Sequence, residues 1–218
     1  MKLLPATLCA ALALCTPAAI QAQAPSNLKS ASKLSPDNGK GDSWTYRNPN
    51  VALSKYQSFI IKPTAVYTDP TAQWGGTTPE QRQKYAAYMT KALRDEVGAG
   101  YQIVDRPGPG VATLRLTLLG VQKTIGVVAT AARATPLGFA FNGVQSLRGK
   151  KGSLTGSVQA ALEVTDSRSG DLVFAAVRKQ APNALDIEST LSTEKTVEAV
   201  ADDFAQAIRK GLDKANGR

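Results

Sequence analysis

The apolar residues of this chain switch between two periods, and the order of those switches limits the folds open to it. From 78 to 97 they recur at helical spacing, with Tyr85, Tyr88, Met89, Ala92, Leu93 and Val97 on one face. From 112 to 123 Leu114, Leu116 and Leu118 alternate with Arg115, Thr117 and Leu119, so one face of a long strand is buried. From 153 to 180 the period is again two. It is broken at Asp166-Ser167-Arg168-Ser169-Gly170, where Gly170 can take positive φ and turn a hairpin. From 194 to 214 Val197, Val200, Ala201, Phe204, Ile208 and Leu212 form a second helical stripe.

The local signals agree. Thr78-Pro79-Glu80-Gln81 opens a helix: a capping Thr, Pro at the first helical position, and Gln three residues after the cap. Gly98 and Gly100 end it. Ser192 or Thr193 caps the last helix, and Glu194 suits the positive end of its dipole. Tyr56 to Lys62 reads as a strand closed by Pro63, and Tyr101 to Asp105 as a short one. The order is strand, helix, strand, strand, hairpin, helix. It predicts an α+β fold: a two-layer sandwich in which one mostly antiparallel sheet of about five strands carries two helices on one face.

The N-terminus is a secretory signal peptide by its order of parts. Lys2 is followed by an apolar run from Leu3 to Leu14 and then by small residues. The run is shorter than the roughly 20 apolar residues that a membrane-spanning helix needs. Ala22-Gln23-Ala24 offers one cut, but Pro25 would follow it; a cut after Ala22 avoids that. The alternative is lipidation at Cys15, where Leu12-Ala13-Leu14-Cys15 resembles a lipobox with Leu14 in place of a small residue. Residues 23–52 are poor in apolar side chains and read as a flexible tether. A single domain is expected over 53–218.

The signal peptide carries both cysteines, Cys9 and Cys15, and the chain has no His. The exported part therefore has no disulfide, no Ser-His-Asp or Cys-His catalysis and no Cys/His zinc site. Formal net charge is +9, and losing Lys2 lowers it by one. The charge is lopsided. Between Arg106 and Leu162 there is no Asp or Glu, while Arg106, Arg115, Lys123, Arg133, Arg148, Lys150 and Lys151 all lie there. A zone of one sign attracts the opposite charge. In a bacterial envelope that means phospholipid and lipopolysaccharide head groups, cell-wall carboxylates or acidic protein faces.

Catalytic motifs are absent or accidental. Ser-x-x-Lys occurs at Ser26/Lys29, Ser30/Lys33 and Ser192/Lys195 without its companion motifs. The Gly143–Lys151 run fails the spacing of a phosphate loop. Asp95-Glu96 and Asp202-Asp203 are adjacent on helices and diverge by about 100°, so neither pair can flank one glycosidic bond. Trp44 and Trp74 could stack on sugars, although an anchoring role suits Trp74 better. The apolar segment 125–144 is a second contact surface to consider.

The pattern resembles a known family of bacterial envelope proteins, many of them lipoproteins, the domain of unknown function 3313 family. The residues that carry the resemblance are Tyr56–Lys62 with Pro63 and Val66, the helix from Thr78, and Ile103-Val104-Asp105. Pro107-Gly108-Pro109-Gly110 and the long strand from Thr113 follow. It would cover about residues 45–215. It implies an envelope location and supplies no catalytic residues.

The expectation is a non-enzymatic, exported protein of the periplasm, with lipid anchoring at the outer membrane as the alternative. Its partner is an anionic lipid or cell-wall surface or another envelope protein, held by Arg115, Lys123, Arg133, Arg148, Lys150 and Lys151. No cofactor or nucleic acid is expected, and no transmembrane helix in the exported part. The competing class is a carboxylate-dependent hydrolase acting on peptidoglycan.

Overall fold

The computed structural model describes residues 25, 28–37, 43–70, 72–123, 156–182 and 192–218. The expected signal peptide 1–22 with Cys15, and Arg133, Arg148, Lys150, Lys151 and the apolar run 125–144, lie outside the described residues.

In chain order the elements are β1 (Ser35–Pro36), β2 (Ser43–Arg47), β3 (Ser58–Ile61), β4 (Ala65–Val66), α1 (Pro79–Gly98), β5 (Gln102–Ile103), β6 (Val111–Gln122), β7 (Ser157–Asp166), β8 (Leu172–Gln180) and α2 (Thr193–Ala215). Among the described residues the eight strands form one mixed sheet, in the order β1-β2-β8-β7-β6-β3-β5, with β4 also paired to β6. The class is the expected α+β; the sheet is larger than the five strands expected. The pairs β1–β2, β2–β8, β8–β7 and β7–β6 are antiparallel. β3 runs parallel to both β5 and β6, and β4 runs parallel to β6.

The capping signals work as written. The Thr78 side chain accepts from the Gln81 backbone, the Gln81 side chain accepts from the Thr78 backbone, and Pro79 opens the helix. Ser192 is the cap of α2, accepting from the Lys195 backbone. The hairpin turn is fixed by Asp166, whose carboxylate accepts from the N–H groups of Arg168 and Ser169 at 2.9 and 3.1 Å. Gly170 sits there at φ 77°, where a side chain would be strained.

One face of the sheet carries both helices. Leu114, Leu116, Leu118, Val158, Ala160 and Val164 from the sheet meet Leu93, Val97, Val197, Val200 and Phe204 in the main core. Phe59 and Tyr101 make an edge-to-face contact in it, with centroids 5.2 Å apart. In β6 the register shifts between Leu118 and Gly120. At Gly120 a Cβ would lie 2.8 Å from the Gln73 carbonyl oxygen, so the loop before α1 can close on the strand there.

The opposite face holds a second core, to which residues expected to be a tether contribute. Leu28, Trp44, Tyr67, Leu119, Ala161 and Val177 cluster there, with Ala31 and Leu34 against them. Residues 43–47 pair along β8, from Ser43 opposite Arg178 to Arg47 opposite Phe174. The tether reading of 23–52 is therefore corrected for 28–37 and 43–52. The physical reason is that Ser43-Trp44-Thr45-Tyr46-Arg47 alternates polar and aromatic residues with high strand propensity, enough to pair despite the polar flanks.

Candidate functional site

Of the cations singled out in the sequence, Arg115 and Lys123 lie among the described residues. Both are exposed, Arg115 within β6 and Lys123 just after it. Arg115 stands opposite Glu163 in the β6–β7 register. Eight residues of strand separate Arg115 from Lys123, roughly 26 Å, so the two cannot grip one small anion. They suit an extended anionic surface. Arg106 is exposed as well, in the loop before β6.

Several carboxylates, by contrast, are engaged in holding the fold together. Asp213 accepts from Arg209 Nε and from the Tyr101 hydroxyl, each at 2.9 Å, and the Arg209 guanidinium first and Tyr101 second hold its carboxyl below the ordinary range. Glu194 is lowered in the same way by Lys84 and then Tyr88. A polar cleft of about 540 Å³ beside the hairpin turn is lined by Lys55, Tyr56, Asp166, Arg168 and Asp171. Its Asp166 is held low, first by the backbone N–H groups of Ser169 and Arg168 and then by Tyr56 and Lys55. A general acid needs the opposite, a carboxyl raised toward neutrality. Asp202 is raised, by partial desolvation and by Asp203 and Glu198, but it stands on α2 away from the cleft. Among the described residues no group of His, Cys, Asp or Glu could hold a metal ion.

The sugar-stacking and acyl-enzyme candidates resolve into structure. Trp44 is buried in the second core. The Arg82 guanidinium covers the Trp74 ring, 4.7 Å from its centroid. Ser192 Oγ is occupied by the Lys195 N–H as a helix cap, 3.1 Å away.

A second cavity, of about 260 Å³, is a groove between α2 and the sheet. Its floor is Leu162 and Val164 of β7 with Phe174 and Ala176 of β8; Phe204, Ile208 and Gly211 of α2 form its wall. Arg47 and Arg178 stand on the far rim. Arg178 is tied down, donating to the Trp44 carbonyl at 2.8 Å and to Asp37 at 2.9 Å. Arg47 lies over the Phe174 ring at 5.4 Å, and among the described residues no carboxylate pairs with it. Reasoning from sequence missed this groove because its lining comes from elements far apart in the chain. The one signal in the sequence was Gly211 inside an otherwise regular helix.

The described residues thus make a single-sheet α+β protein with a polar cleft beside the hairpin turn and an apolar groove under α2. The chain belongs to the domain of unknown function 3313 family, whose model, described as a protein of unknown function, matches residues 24–208. No curated protein sequence matches it significantly. Among solved structures it is similar to the PelC dodecamer from Paraburkholderia phytofirmans, at 14% identity and TM-score 0.39, over 78% of this chain and 95% of that one. It is also similar to protein XCC0632 from Xanthomonas campestris, at 10% identity and TM-score 0.35, over 77% and 93% of the two chains. A third is a DUF4136 family protein from Bacteroides thetaiotaomicron, at 13% identity and TM-score 0.32, over 77% and 95%.

Proposed function

We propose that this chain is a non-enzymatic binding protein of the bacterial cell envelope. It is exported by residues 1–22 and holds an anionic envelope component, or an acidic face of another envelope protein, through its basic zone. The carrying observation is the split in the use of charge. Carboxylates such as Asp166, Glu194 and Asp213 are engaged with neighbouring side chains and backbone, whereas Arg106, Arg115 and Lys123 are exposed in a stretch that contains no acid. Cations so placed keep their field for a partner. The lowered carboxyl of Asp166 in the polar cleft supports a binding role over hydrolysis. No helix among the described residues is long and apolar enough to cross a membrane.

The test is binding of the protein without residues 1–22 to phosphatidylglycerol vesicles and to isolated cell wall. Replacing Arg115, Lys123, Arg148, Lys150 and Lys151 together by Gln should weaken binding, most at low salt where exposed charges are least screened. Equal binding by both proteins at low salt would overturn the proposal. Cell-wall clearing that disappears with one Asp or Glu substitution would replace it with the hydrolase.

A further inference from the structure

The groove between α2 and the sheet has a chemistry that the basic zone does not. Its floor and helix wall are apolar, yet it is open, with Leu162, Phe174 and Ile208 only partly buried. Gly211 stands in the α2 wall, and a Cβ built on it would meet nothing within 4 Å. Glycine weakens a helix interior relative to alanine, so no packing demand explains it here. Its effect is to widen the groove. Along the wall, Phe204 to Leu212 spans eight residues of helix, about 12 Å. That is the extended length of a chain of roughly eight to ten carbons, and the cavity volume of about 260 Å³ suits the same size. Across from this wall stands Arg47, with no carboxylate partner among the described residues, its guanidinium over the Phe174 ring. Arg178, on the same rim, is already neutralised by Asp37 and leaves Arg47 as the cation open to a ligand.

We infer that this groove binds the anion of a medium-chain fatty acid, the acyl chain lying along α2 and the carboxylate meeting Arg47. Arginine matches a carboxylate with two parallel donors, and the partly buried apolar surfaces of Phe174, Leu162 and Ile208 gain by being covered. The inference stands apart from the envelope reading, since it uses neither the basic zone nor the location of the protein.

Isothermal titration of the protein without residues 1–22 with sodium decanoate, below its micelle concentration, tests it. Decanoate should bind with one-to-one stoichiometry. Octanoate, two methylenes shorter, should bind roughly tenfold more weakly. Decyltrimethylammonium, with the opposite head charge, should bind more weakly than decanoate, and Arg47→Glu should abolish that preference. Gly211→Leu fills the groove with a good helix former; it should keep the circular dichroism spectrum and lose decanoate binding. Absence of decanoate binding in the unmodified protein would overturn the inference. So would binding that ignores head charge, or binding unchanged in a folded Gly211→Leu variant. Concentration-dependent self-association without decanoate binding would overturn it in favour of a second copy of the chain in the groove. None of these outcomes depends on vesicle binding, so either proposal can fail alone.

Discussion

The backbone N–H of Ser30 donates a 2.8 Å hydrogen bond to Oε1 of Glu163, across 133 residues of sequence. Glu163 is buried in the middle of β7, on the face away from the helices. The bond fastens the N-terminal segment to the sheet. Replacing Glu163 by Ala leaves that buried N–H without its acceptor, at a cost of about 1–3 kcal/mol. Glu163→Gln keeps an acceptor oxygen and should cost less. Urea unfolding gives the stability difference. Faster tryptic cleavage after Lys29 or Lys33 in Glu163→Ala than in the unmodified protein would show that the segment has come loose.

Trp44 separates two views of residues 43–47 by a large margin. As part of a tether its replacement would change stability by less than about 0.5 kcal/mol. As a member of the second core, 4% exposed beside Val177 and Ala161, its change to Ala should cost about 3–5 kcal/mol. The midpoint of chemical unfolding decides between them.

The Tyr56 hydroxyl donates to Asp166 at 2.9 Å, and the two groups respond to opposite ends of the pH scale. Burial, with Asp166 adding to it, pushes the Tyr56 hydroxyl up to about 12. Its raised folded value means that stability is intact below pH 10 and falls as pH rises from there toward 12. Asp166 is held below its ordinary value, so its contribution is present above about pH 4 and lost as pH falls below that. Tyr56→Phe should flatten the alkaline limb of the stability profile, and Asp166→Asn should reduce the acid one. Thermal unfolding from pH 2.5 to 11.5 measures both.

Asp202 behaves in the reverse sense to Asp166. Partial desolvation by the surrounding chain first, then Asp203 and Glu198, raise its carboxyl, with Lys91 opposing them. A raised carboxyl favours folding when protonated, and that advantage is gone once pH has risen through its folded value. Asp202→Asn should therefore stabilise the protein at pH 7, by about a few tenths of a kcal/mol for so exposed a site, and leave it unchanged at pH 3. Paired melts at the two pH values check the difference.

The elements legible from sequence were those with several turns or strand repeats of pattern. Thr78, Pro79 and Gln81 mark the start of α1 as it forms, and the β7–β8 hairpin turns at Asp166 to Gly170. What escaped were short elements whose order depends on distant partners. β1 and β4 have two residues each, too few for a period. β2 does alternate, but its pairing needs β8, more than a hundred residues away, and its polar neighbours hid the signal. For the site, sequence located the acid-free stretch through charge alone. It could not locate Arg47, because Phe174 beneath it and Ile208 across from it are brought near only by the fold.

The pairing of β2 with β8 sets the order of synthesis against the order of assembly. Trp44 leaves the ribosome early, and the strand that receives it follows more than a hundred residues later; Arg178 donates to the Trp44 carbonyl across 134 positions. Contacts that far apart close large loops and form slowly. Until β8 is made, β2 has only the two-residue β1 to pair with, and Trp44 lacks its neighbour Val177. A shortened chain ending in the hairpin turn would keep α1, β6, β7 and the Glu163 anchor for Ser30, but β2 would lose the long strand it pairs with.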